Sequence, residues 1–210
     1  MKYIRGTKDM PLILGARECR GILKFIMQWP LDSSYAVHRN MHGQSGGGLT
    51  FGRGFPYSGS VKQKLNTRSS TESEVVAVDD FMPAILWSKN FLEAQGYEVK
   101  QNIILQDNKS AILLERNGKA SSGKRTKHLD IRYFFVTDRI QKGNVSIEWC
   151  PTEDMTGDFW TKPVQGALFK RFRDIIMGVV PHPKEPGKAK AQVKDKAARK
   201  EIGKASKKNA

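Results

Sequence analysis

Four acidic residues, Asp32, Glu74, Asp107 and Asp158, lie at the edges of apolar segments across the first three quarters of the chain. A lone carboxylate usually belongs on a solvated surface, so any one of them alone carries little information. Four carboxylates placed where strands and helices are expected to meet supply the oxygen ligands that Mg²⁺ prefers. The set therefore predicts a divalent-metal site suited to phosphoryl chemistry.

These acids also have explanations that need no metal. Asp32 could simply end a strand in a turn, and Asp158 could be one of several solvated acids on a helix, because Glu153 and Asp154 are nearby. Of the four acids, Asp107 most strongly indicates a functional role. It directly follows a short apolar segment that predicts a buried strand, where a charge is costly.

Glu74 has a competitor in Glu72, two residues earlier. Side chains two residues apart on a helix point about 200° apart, so only one of the two can face the sheet. Glu74 directly precedes Val75 and Val76, whereas Glu72 lies in the expected first turn, where a carboxylate favours the helix dipole. Glu74 is therefore the predicted ligand, and Glu72 is predicted to cap the helix.

Apolar periodicity predicts the elements that must position these acids. An extended strand that ends at Asp32 is indicated by the alternating residues Leu23, Phe25, Met27, Trp29 and Leu31. The elements predicted after it are strands at 46–51 and 57–65 joined by a turn at 52–54, a helix capped by 69–71, a strand at 102–105, a helix from 110, a loop at 118–123, a helix over 126–141, a strand over 145–149 and a helical region from 151 to 177. Pro83 would kink the first helix or divide it in two. This order predicts an α/β fold with a mixed sheet.

Length and composition bound the class of protein. A chain of 210 residues can form one sizeable domain or two small ones. No apolar run approaches the ~20 residues of a membrane span, and no secretory signal pattern opens the chain. Cys19 and Cys150 are too few for a disulfide framework or a structural zinc site, so both are expected to be free thiols. We expect a soluble, intracellular protein.

The net charge of +15, from 36 Lys and Arg and 21 Asp and Glu, favours a polyanionic partner. Basic side chains gain binding energy by displacing counterions from phosphates. Residues 181–210 hold ten Lys and Arg and three Asp and Glu, a net charge of +7, without apolar periodicity. We expect this tail to be disordered, and it could bind nucleic acid or serve only as a solubilising extension.

Five segments, in this order, resemble the ribonuclease H region of copia-type retrotransposon polyproteins. They are residues 31–38 (LDSSYAVH), 69–74 (SSTESE), 106–112 (QDNKSAI), 125–133 (RTKHLDIRY) and 158–163 (DFWTKP). Each segment is weak alone, but five in the family's order make the resemblance specific. Residues 1–7 also resemble the segment that joins the polymerase to this domain, so the chain resembles the C-terminal piece of a longer Pol polyprotein.

The resemblance implies a ribonuclease H-like fold, with a five-stranded mixed sheet flanked by helices at residues 21–178. A remnant of the polymerase connection would precede it at 1–20, and a disordered Lys-rich tail would follow at 179–210. The resemblance assigns catalysis and metal binding to Asp32, Glu74, Asp107 and Asp158. It also implies two Mg²⁺ ions, for which Mn²⁺ can substitute.

The implied activity is endonucleolytic hydrolysis of the RNA strand of RNA–DNA hybrids during reverse transcription. The implied partners are the hybrid and the reverse transcriptase portion of the same polyprotein, with no membrane, in a cytoplasmic retroelement particle or the nucleus. Candidate phosphate contacts, for which a solvated charged face is an equally good explanation, are Lys62, Lys64, Arg68, Lys124, Arg125 and Lys127. His128 is expected to be structural or to contact the hybrid rather than to be catalytic.

Three features motivate an alternative function: Pro30, a missing histidine and the basic tail. Pro30 stands in the first strand, which is central in this fold, and a proline there removes a ladder hydrogen bond unless it falls at a bulge. The stretch 150–157 lacks the histidine that cellular ribonucleases H carry before their last acid. The alternative is a decayed or domesticated retroelement fragment that binds nucleic acid without cutting it.

A transposase or integrase is a third possibility, because these enzymes share the sheet topology. Their acid set ends in a Glu, unlike Asp158 here.

Overall fold

Strands and helices follow one another along the part of the chain that the computed structural model describes, residues 6–16, 18–19, 22–23, 25–118 and 130–183. The strands are β1 (Gly15–Ala16), β2 (Glu18–Cys19), β3 (Ile22–Leu23), β4 (Phe25–Ser34), β5 (Gln44–Leu49), β6 (Gly52–Arg53), β7 (Tyr57–Lys62), β8 (Val99–Gln106) and β9 (Ser146–Trp149). The helices are α1 (Ser70–Ala94), α2 (Lys109–Asn117), α3 (Asp130–Gln141), α4 (Asp158–Thr161) and α5 (Gly166–Ile176), with a 3₁₀ turn at Thr152–Asp154.

The main sheet has the strand order β7-β5-β4-β8-β9. β4 lies at its centre, antiparallel to β5 with Leu31 opposite Gly47, and parallel to β8 with Trp29 opposite Ile104. β8 and β9 are also parallel, and β5 and β7 form the predicted hairpin. A five-stranded sheet with parallel and antiparallel pairs, flanked by helices, confirms the predicted α/β class.

Both faces of β8 are covered by apolar side chains. Ile104 packs in a core cluster together with residues of α1 and α3. Its neighbours Ile103 and Leu105 point to the opposite face and pack with Met155 and Cys150. Burial on both faces explains why this segment is a continuous apolar run rather than an alternating one.

Pro30 interrupts the ladder between β4 and β5 without a bulge. Gln28 and Thr50 exchange both backbone hydrogen bonds at 2.9 Å, and pairing resumes at Leu31 in the same register. Pro30 has no N–H to donate to β5, and this missing hydrogen bond lies between the pairs formed by Gln28 and Leu31. On the other side of β4, Pro30 pairs with Leu105 and the parallel ladder is continuous. The possibility that Pro30 falls at a bulge is therefore wrong. The register shift of β4 lies between Phe25 and Ile26, at the start of the strand.

Helix α1 begins where the sequence predicts. Ser69 caps it by accepting a hydrogen bond from the Glu72 backbone nitrogen at 3.2 Å. The prediction that Pro83 could divide the helix is wrong, because α1 continues past it to Ala94. Pro83 is exposed, so water can satisfy the carbonyl that its missing N–H leaves without a helical partner.

The helical region predicted from 151 to 177 consists of three separate pieces: the 3₁₀ turn, α4 and α5. α4 ends because Lys162 precedes Pro163 and adopts extended backbone with φ −129° and ψ 148°, the conformation that a following proline favours. α5 then packs through Phe172 and Ile175 against Phe55. Asp158 therefore begins a short helix instead of lying within a long one.

Segments from both ends of the described chain pack beside the connection between β5 and β7. β1 pairs with β6, the Ile13 nitrogen donates to the Met177 carbonyl at 2.8 Å, and the His182 nitrogen donates to the Gly52 carbonyl at 3.0 Å. The limits at residues 21 and 178 stay predictions. Four further predictions concern residues outside the described part of the chain. They are the predictions for residues 1–5, for most of the 118–123 loop, for the start of the helix at 126 and for the tail beyond 183. Among the described helices, none is both long and apolar enough to cross a bilayer.

Candidate metal centre

Three of the four predicted acids meet at the carboxyl ends of β4 and β8. Asp32 lies near the end of β4, Asp107 directly follows β8, and Glu74 lies in the second turn of α1. One carboxylate oxygen from each lies within 4.8 Å of the other two. Such spacing allows one cation to contact all three carboxylates. The parallel pairing of β4 and β8 produces it, because the carboxyl ends of parallel strands share one edge of a sheet.

This cluster is buried, and the protein satisfies it only in part. Asp32 and Glu74 are 1% and 5% exposed, and Asp107 is half-buried. The Ser33 nitrogen donates to Glu74 Oε1 at 3.4 Å, whereas Glu74 Oε2 has no hydrogen-bond partner within the described part of the chain. A buried, unpartnered oxygen beside two further carboxylates fits the donor set of a hard divalent cation.

The two competing glutamates of α1 take different roles. Glu72 Oε2 accepts a hydrogen bond from the Arg68 backbone nitrogen at 2.7 Å, and its own nitrogen donates to Ser69. Glu72 therefore caps the helix, as predicted, and its carboxylate is occupied there. Glu74 is the one of the pair that faces Asp32.

Asp158 joins the centre through Lys162. The Lys162 Nζ atom lies 2.7 Å from Asp158 Oδ1 and 3.3 Å from Asp32 Oδ1. The lysine side chain is 42% exposed, whereas both of its carboxylate partners are buried. Asp158 is not one of the three acids whose oxygens lie within 4.8 Å of one another, so the structure brings it beside the cluster and not into it.

Two glycines allow the segment around α4 to approach the sheet. A Cβ at Gly157 would lie 2.9 Å from both the backbone nitrogen and the Cβ of Asp32. A Cβ at Gly46, which pairs with Asp32 across the ladder, would lie 2.6 Å from Thr161 Cγ2 and 2.8 Å from Trp160 Cβ. At distances this short, a side chain at either position would force its neighbours to move, so glycine at both positions lets α4 lie this close to Asp32.

Burial and mutual repulsion set the electrostatics of the centre. Burial, followed by the charge of Asp158, raises the pKa of Asp32 to about 7, although Lys162 opposes the shift. Burial, followed by the charges of Asp32 and Asp107, holds the pKa of Glu74 well above its usual value. Partial burial lowers the pKa of Lys162, but Asp32 and Asp158 outweigh it and raise that pKa. One ammonium therefore leaves carboxylate charge uncompensated, which favours binding of further cations.

Neighbouring donors orient two of the acids. Thr161 Oγ1 donates a hydrogen bond to Asp32 Oδ2. Thr152 Oγ1 donates to Asp107 Oδ2 at 3.0 Å, and Trp149 Nε1 donates to the Asp107 carbonyl at 3.1 Å. Such contacts fix the rotamer of a metal-ligating carboxylate and the backbone that carries it.

A fifth acid, Glu115 of α2, is fully buried near the centre. Neither carboxylate oxygen of Glu115, and neither amide atom of Gln106, has a hydrogen-bond partner within the described residues. Burial, followed by the charge of Glu74, raises the pKa of Glu115 well above its usual value. Gln106 lies close enough to oppose that shift without meeting hydrogen-bond geometry. These surroundings favour the neutral acid, and Glu115 is not among the three acids whose oxygens lie within 4.8 Å of one another.

Three of the predicted phosphate contacts lie on the surface near α1. Lys62, Lys64 and Arg68 are exposed. Gln63, between the two lysines, is buried and donates from Nε2 to the Ser73 carbonyl at 2.9 Å. This hydrogen bond places the segment that carries both lysines next to Glu74, which follows Ser73 on α1. The remaining candidates lie outside the described residues; they are Lys124, Arg125, Lys127 and His128.

Several residues around the centre were not identified from the sequence. Lys162 could have been found, because it follows Asp158 by four residues, the spacing of ion pairs on a helix. Glu115 could have been found as well, since it lies three residues after Ile112 on the buried side of α2. Thr152 and Trp149 give no such local indication, because they contact Asp107 only across the tertiary structure. Thr161 follows Asp158 by three residues, but its hydrogen bond to Asp32 also depends on the tertiary structure.

Comparison with curated proteins finds relatives over 84–89% of the chain. It is 26% identical over 178 residues to the "Retrovirus-related Pol polyprotein from transposon TNT 1-94" of Nicotiana tabacum. It is 29% and 27% identical, over 178 and 189 residues, to the corresponding polyproteins from transposons RE1 and RE2 of Arabidopsis thaliana. The relatives are transposon Pol polyproteins. The resemblance inferred from the sequence motifs is thereby confirmed. The chain spans 12–13% of the length of these relatives, and no protein-family model matches it.

Solved structures that align with this chain include ribonuclease H proteins. LC11-RNase H1 isolated from compost aligns with a TM-score of 0.45 and 12% identity, over 65% of this chain and 92% of that chain. The N-terminal RNase H domain of rv2228c from Mycobacterium tuberculosis aligns with a TM-score of 0.39 and 12% identity, over 72% and 98%. The predicted α/β architecture, a five-stranded mixed sheet flanked by helices with β4 at its centre, is confirmed.

Proposed function

We propose that this chain is the ribonuclease H domain of a retrotransposon Pol polyprotein. Its activity would be metal-dependent, endonucleolytic hydrolysis of the RNA strand of RNA–DNA hybrids by two-metal-ion catalysis. The observation that carries the proposal is the meeting of Asp32, Glu74 and Asp107 within 4.8 Å at one edge of the sheet. The transposon relatives support the polyprotein context.

Asp32, Glu74, Asp107 and Asp158 would hold two Mg²⁺ ions, or Mn²⁺ in their place. All four offer carboxylate oxygens, which suit these hard cations, and several carboxylates together offset the charge of two ions. Such ions, when bound, lower the pKa of a water and stabilise the charge that develops on the leaving oxygen. Glu74 Oε2, which has no hydrogen-bond partner among the residues that the structure describes, supports this assignment, because a bound cation would offset the desolvation of that buried oxygen.

The surrounding residues would hold the acids and direct the substrate. Thr161 and Thr152 fix Asp32 and Asp107 through hydrogen bonds to their carboxylates. Lys162 pairs with Asp32 and Asp158 at the exposed side of the centre, where an approaching phosphate would pass within reach of its ammonium. Preorganised groups of this kind assist charge development without rearranging during the reaction.

Substrate choice would follow from features of the hybrid rather than from its sequence. The RNA strand differs from DNA by its 2′-hydroxyls and by the A-like shape that it imposes on the duplex. Exposed Lys62, Lys64 and Arg68 would contact phosphates and fix the position of the duplex, as would Lys124, Arg125, Lys127 and His128. The reverse transcriptase portion of the same polyprotein would supply the hybrid.

A cleavage assay tests the proposal. The purified chain is incubated with an end-labelled RNA–DNA hybrid in Mg²⁺, in Mn²⁺ or with a chelator, and duplex RNA and duplex DNA of the same sequence are the substrate controls. We expect internal cuts in the RNA strand of the hybrid only, and only with a divalent cation. No cleavage in Mn²⁺ at high protein concentration, with hybrid binding intact, would favour the alternative of a nucleic-acid-binding fragment without catalysis.

A further inference from the structure

An aromatic and a basic side chain lie together beside Asp107, and the proposed chemistry uses neither the Lys109 ammonium nor the exposed face of the Trp149 ring. Trp149, the last residue of β9, is 44% exposed. The Lys109 ammonium, from the first residue of α2, lies 4.8 Å from the centre of the Trp149 ring. A cation this close to an aromatic face is attracted by the ring's quadrupole. The two side chains therefore form one surface feature, the Lys109–Trp149 pair.

The position of this pair is fixed relative to the predicted ligand. Trp149 Nε1 donates to the Asp107 carbonyl at 3.1 Å, and Lys109 follows Asp107 by two residues. The parallel pairing of β8 with β9, in which Gln106 lies opposite Trp149, holds both residues at the same edge of the sheet. Any polymer bound across the acidic cluster at this edge would extend over the pair.

The chemistry of the pair fits a nucleotide. An ammonium binds a phosphate, and an exposed indole ring supplies an apolar surface for a sugar or a base. The bases of a duplex are already stacked on one another, so the ring would meet the sugar, as duplexes with RNA are contacted through phosphates and 2′-hydroxyls.

We propose that the Lys109–Trp149 pair binds the sugar and phosphate of the nucleotide next to the scissile phosphate. This inference rests on the proposed function only in taking a polynucleotide at the metal centre as the ligand. The pair would fix the register of the strand against Asp107, and so would act as a positioning element and not as a catalytic one.

Equilibrium binding of a fluorescently labelled RNA–DNA hybrid tests the site. All variants carry Asp32→Asn so that the probe stays intact. Lys109→Gln and Trp149→Ala should each weaken binding roughly fivefold or more, and Trp149→Phe should keep most of the affinity because the ring remains. Lys109→Gln should also reduce the slope of log affinity against log salt by about 1, whereas Trp149→Phe should not.

Matched controls come from exposed residues of the same types elsewhere. Trp87→Ala removes a ring that is 65% exposed in the second half of α1, and Lys100→Gln removes a lysine at the opposite end of β8 from Asp107. Both should leave hybrid affinity within about twofold of the parent. Lys109 is exposed, so its variant should fold even if the loss of the Trp149 hydrogen bond disturbs Trp149→Ala.

The outcomes separate this inference from the proposed function. Unchanged affinity in both Lys109→Gln and Trp149→Ala would overturn the site, whether or not the parent chain cleaves hybrids. An equal loss in Trp149→Phe and Trp149→Ala would also overturn it, since only the hydrogen bond to Asp107 would then matter. Selective loss in these variants, from a parent chain that binds hybrids without cutting them, would support the site and count against the nuclease.

Discussion

Lys162 Nζ lies 2.7 Å from the Asp158 carboxylate four residues before it and 3.3 Å from Asp32, which is 130 residues distant along the chain. One ammonium thus ties the end of the central strand to the short helix α4. The same contact makes Lys162 a competitor for any cation that enters the centre.

Removal of a ligand carboxylate should abolish turnover while hybrid binding persists. Asp32→Asn and Asp107→Asn keep the size of the side chain but remove its charge, so cleavage should fall by roughly a hundredfold or more. Affinity for the hybrid should change little, because the proposed phosphate contacts are basic residues outside the acidic cluster. Asp138→Asn on α3, where the acid pairs with Lys142 at 3.0 Å, is the control and should cleave normally. Full activity in Asp107→Asn would refute the metal assignment.

Lys162→Gln should tighten the binding of divalent cations. The substitution removes both a competing ion pair and a positive charge next to the site, so the Mg²⁺ concentration at half-maximal stabilisation should fall by roughly threefold to tenfold. Thermal unfolding across a Mg²⁺ titration measures the change. Lys142→Gln is the control, because it removes an exposed lysine that forms an ion pair with Asp138 of α3. An unaltered Mg²⁺ midpoint would show that Lys162 does not compete with the metal.

Divalent-cation affinity should increase as the pH rises through about 7. The pKa of Asp32 is raised to about 7 by burial and by Asp158, and that of Glu74 is raised as well, so protons compete with metal below this range. Calorimetric Mg²⁺ titrations at pH 6 and pH 8 should give tighter binding and less proton release at the higher pH. Binding that is equally strong at both values would contradict this account.

Glu115→Gln should stabilise the protein selectively at high pH. Burial raises the pKa of Glu115 above its usual 4.5, so the folded state keeps a proton that the unfolded chain has lost. The free energy of unfolding therefore falls as the pH rises above about 4.5, until the raised pKa is passed. The amide carries no charge and removes this loss, so the variant should gain roughly 1 kcal/mol or more relative to the parent between pH 4 and pH 8.

Urea unfolding at the two pH values measures this gain. Glu93→Gln on α1, where the acid is largely solvated and pairs with Lys89 at 3.8 Å, should show no comparable difference. If the advantage of Glu115→Gln is the same at pH 4 as at pH 8, Glu115 is not the origin of the pH dependence.

Gly157→Ala should damage both stability and the site. The added methyl group would lie 2.9 Å from the Asp32 backbone and side chain, so α4 must shift away from the sheet. We expect a loss of about 1–3 kcal/mol in the free energy of unfolding, together with reduced cleavage because Asp158 moves from Asp32. Gly6→Ala, where the added group meets nothing within 4 Å, is the matched control. Parent-like stability and activity in Gly157→Ala would show that the close approach is not required.

Local sequence chemistry was sufficient for most of the secondary structure. Alternation from Phe25 to Leu31 predicted the central strand, and the Ser69 cap predicted the start of α1. The break after α4 was also available locally, because Pro163 restricts the residue before it. Pro83 was not decidable in this way. A proline within a helix is tolerated when the carbonyl it frees faces water, and that depends on which side of α1 the sheet covers.

The sequence by itself determined which acids end the strands, which motifs they lie in and which transposon polyproteins they resemble. It did so because strand periodicity, helix caps and motif order are properties of neighbouring residues. Only the tertiary structure decided that Asp32, Glu74 and Asp107 each place a carboxylate oxygen within 4.8 Å of the other two. It also decided that Lys162 forms ion pairs with both Asp158 and Asp32. Those distances come from the pairing of β4 with β8 and from the close approach at Gly157, which bring together residues far apart in the chain.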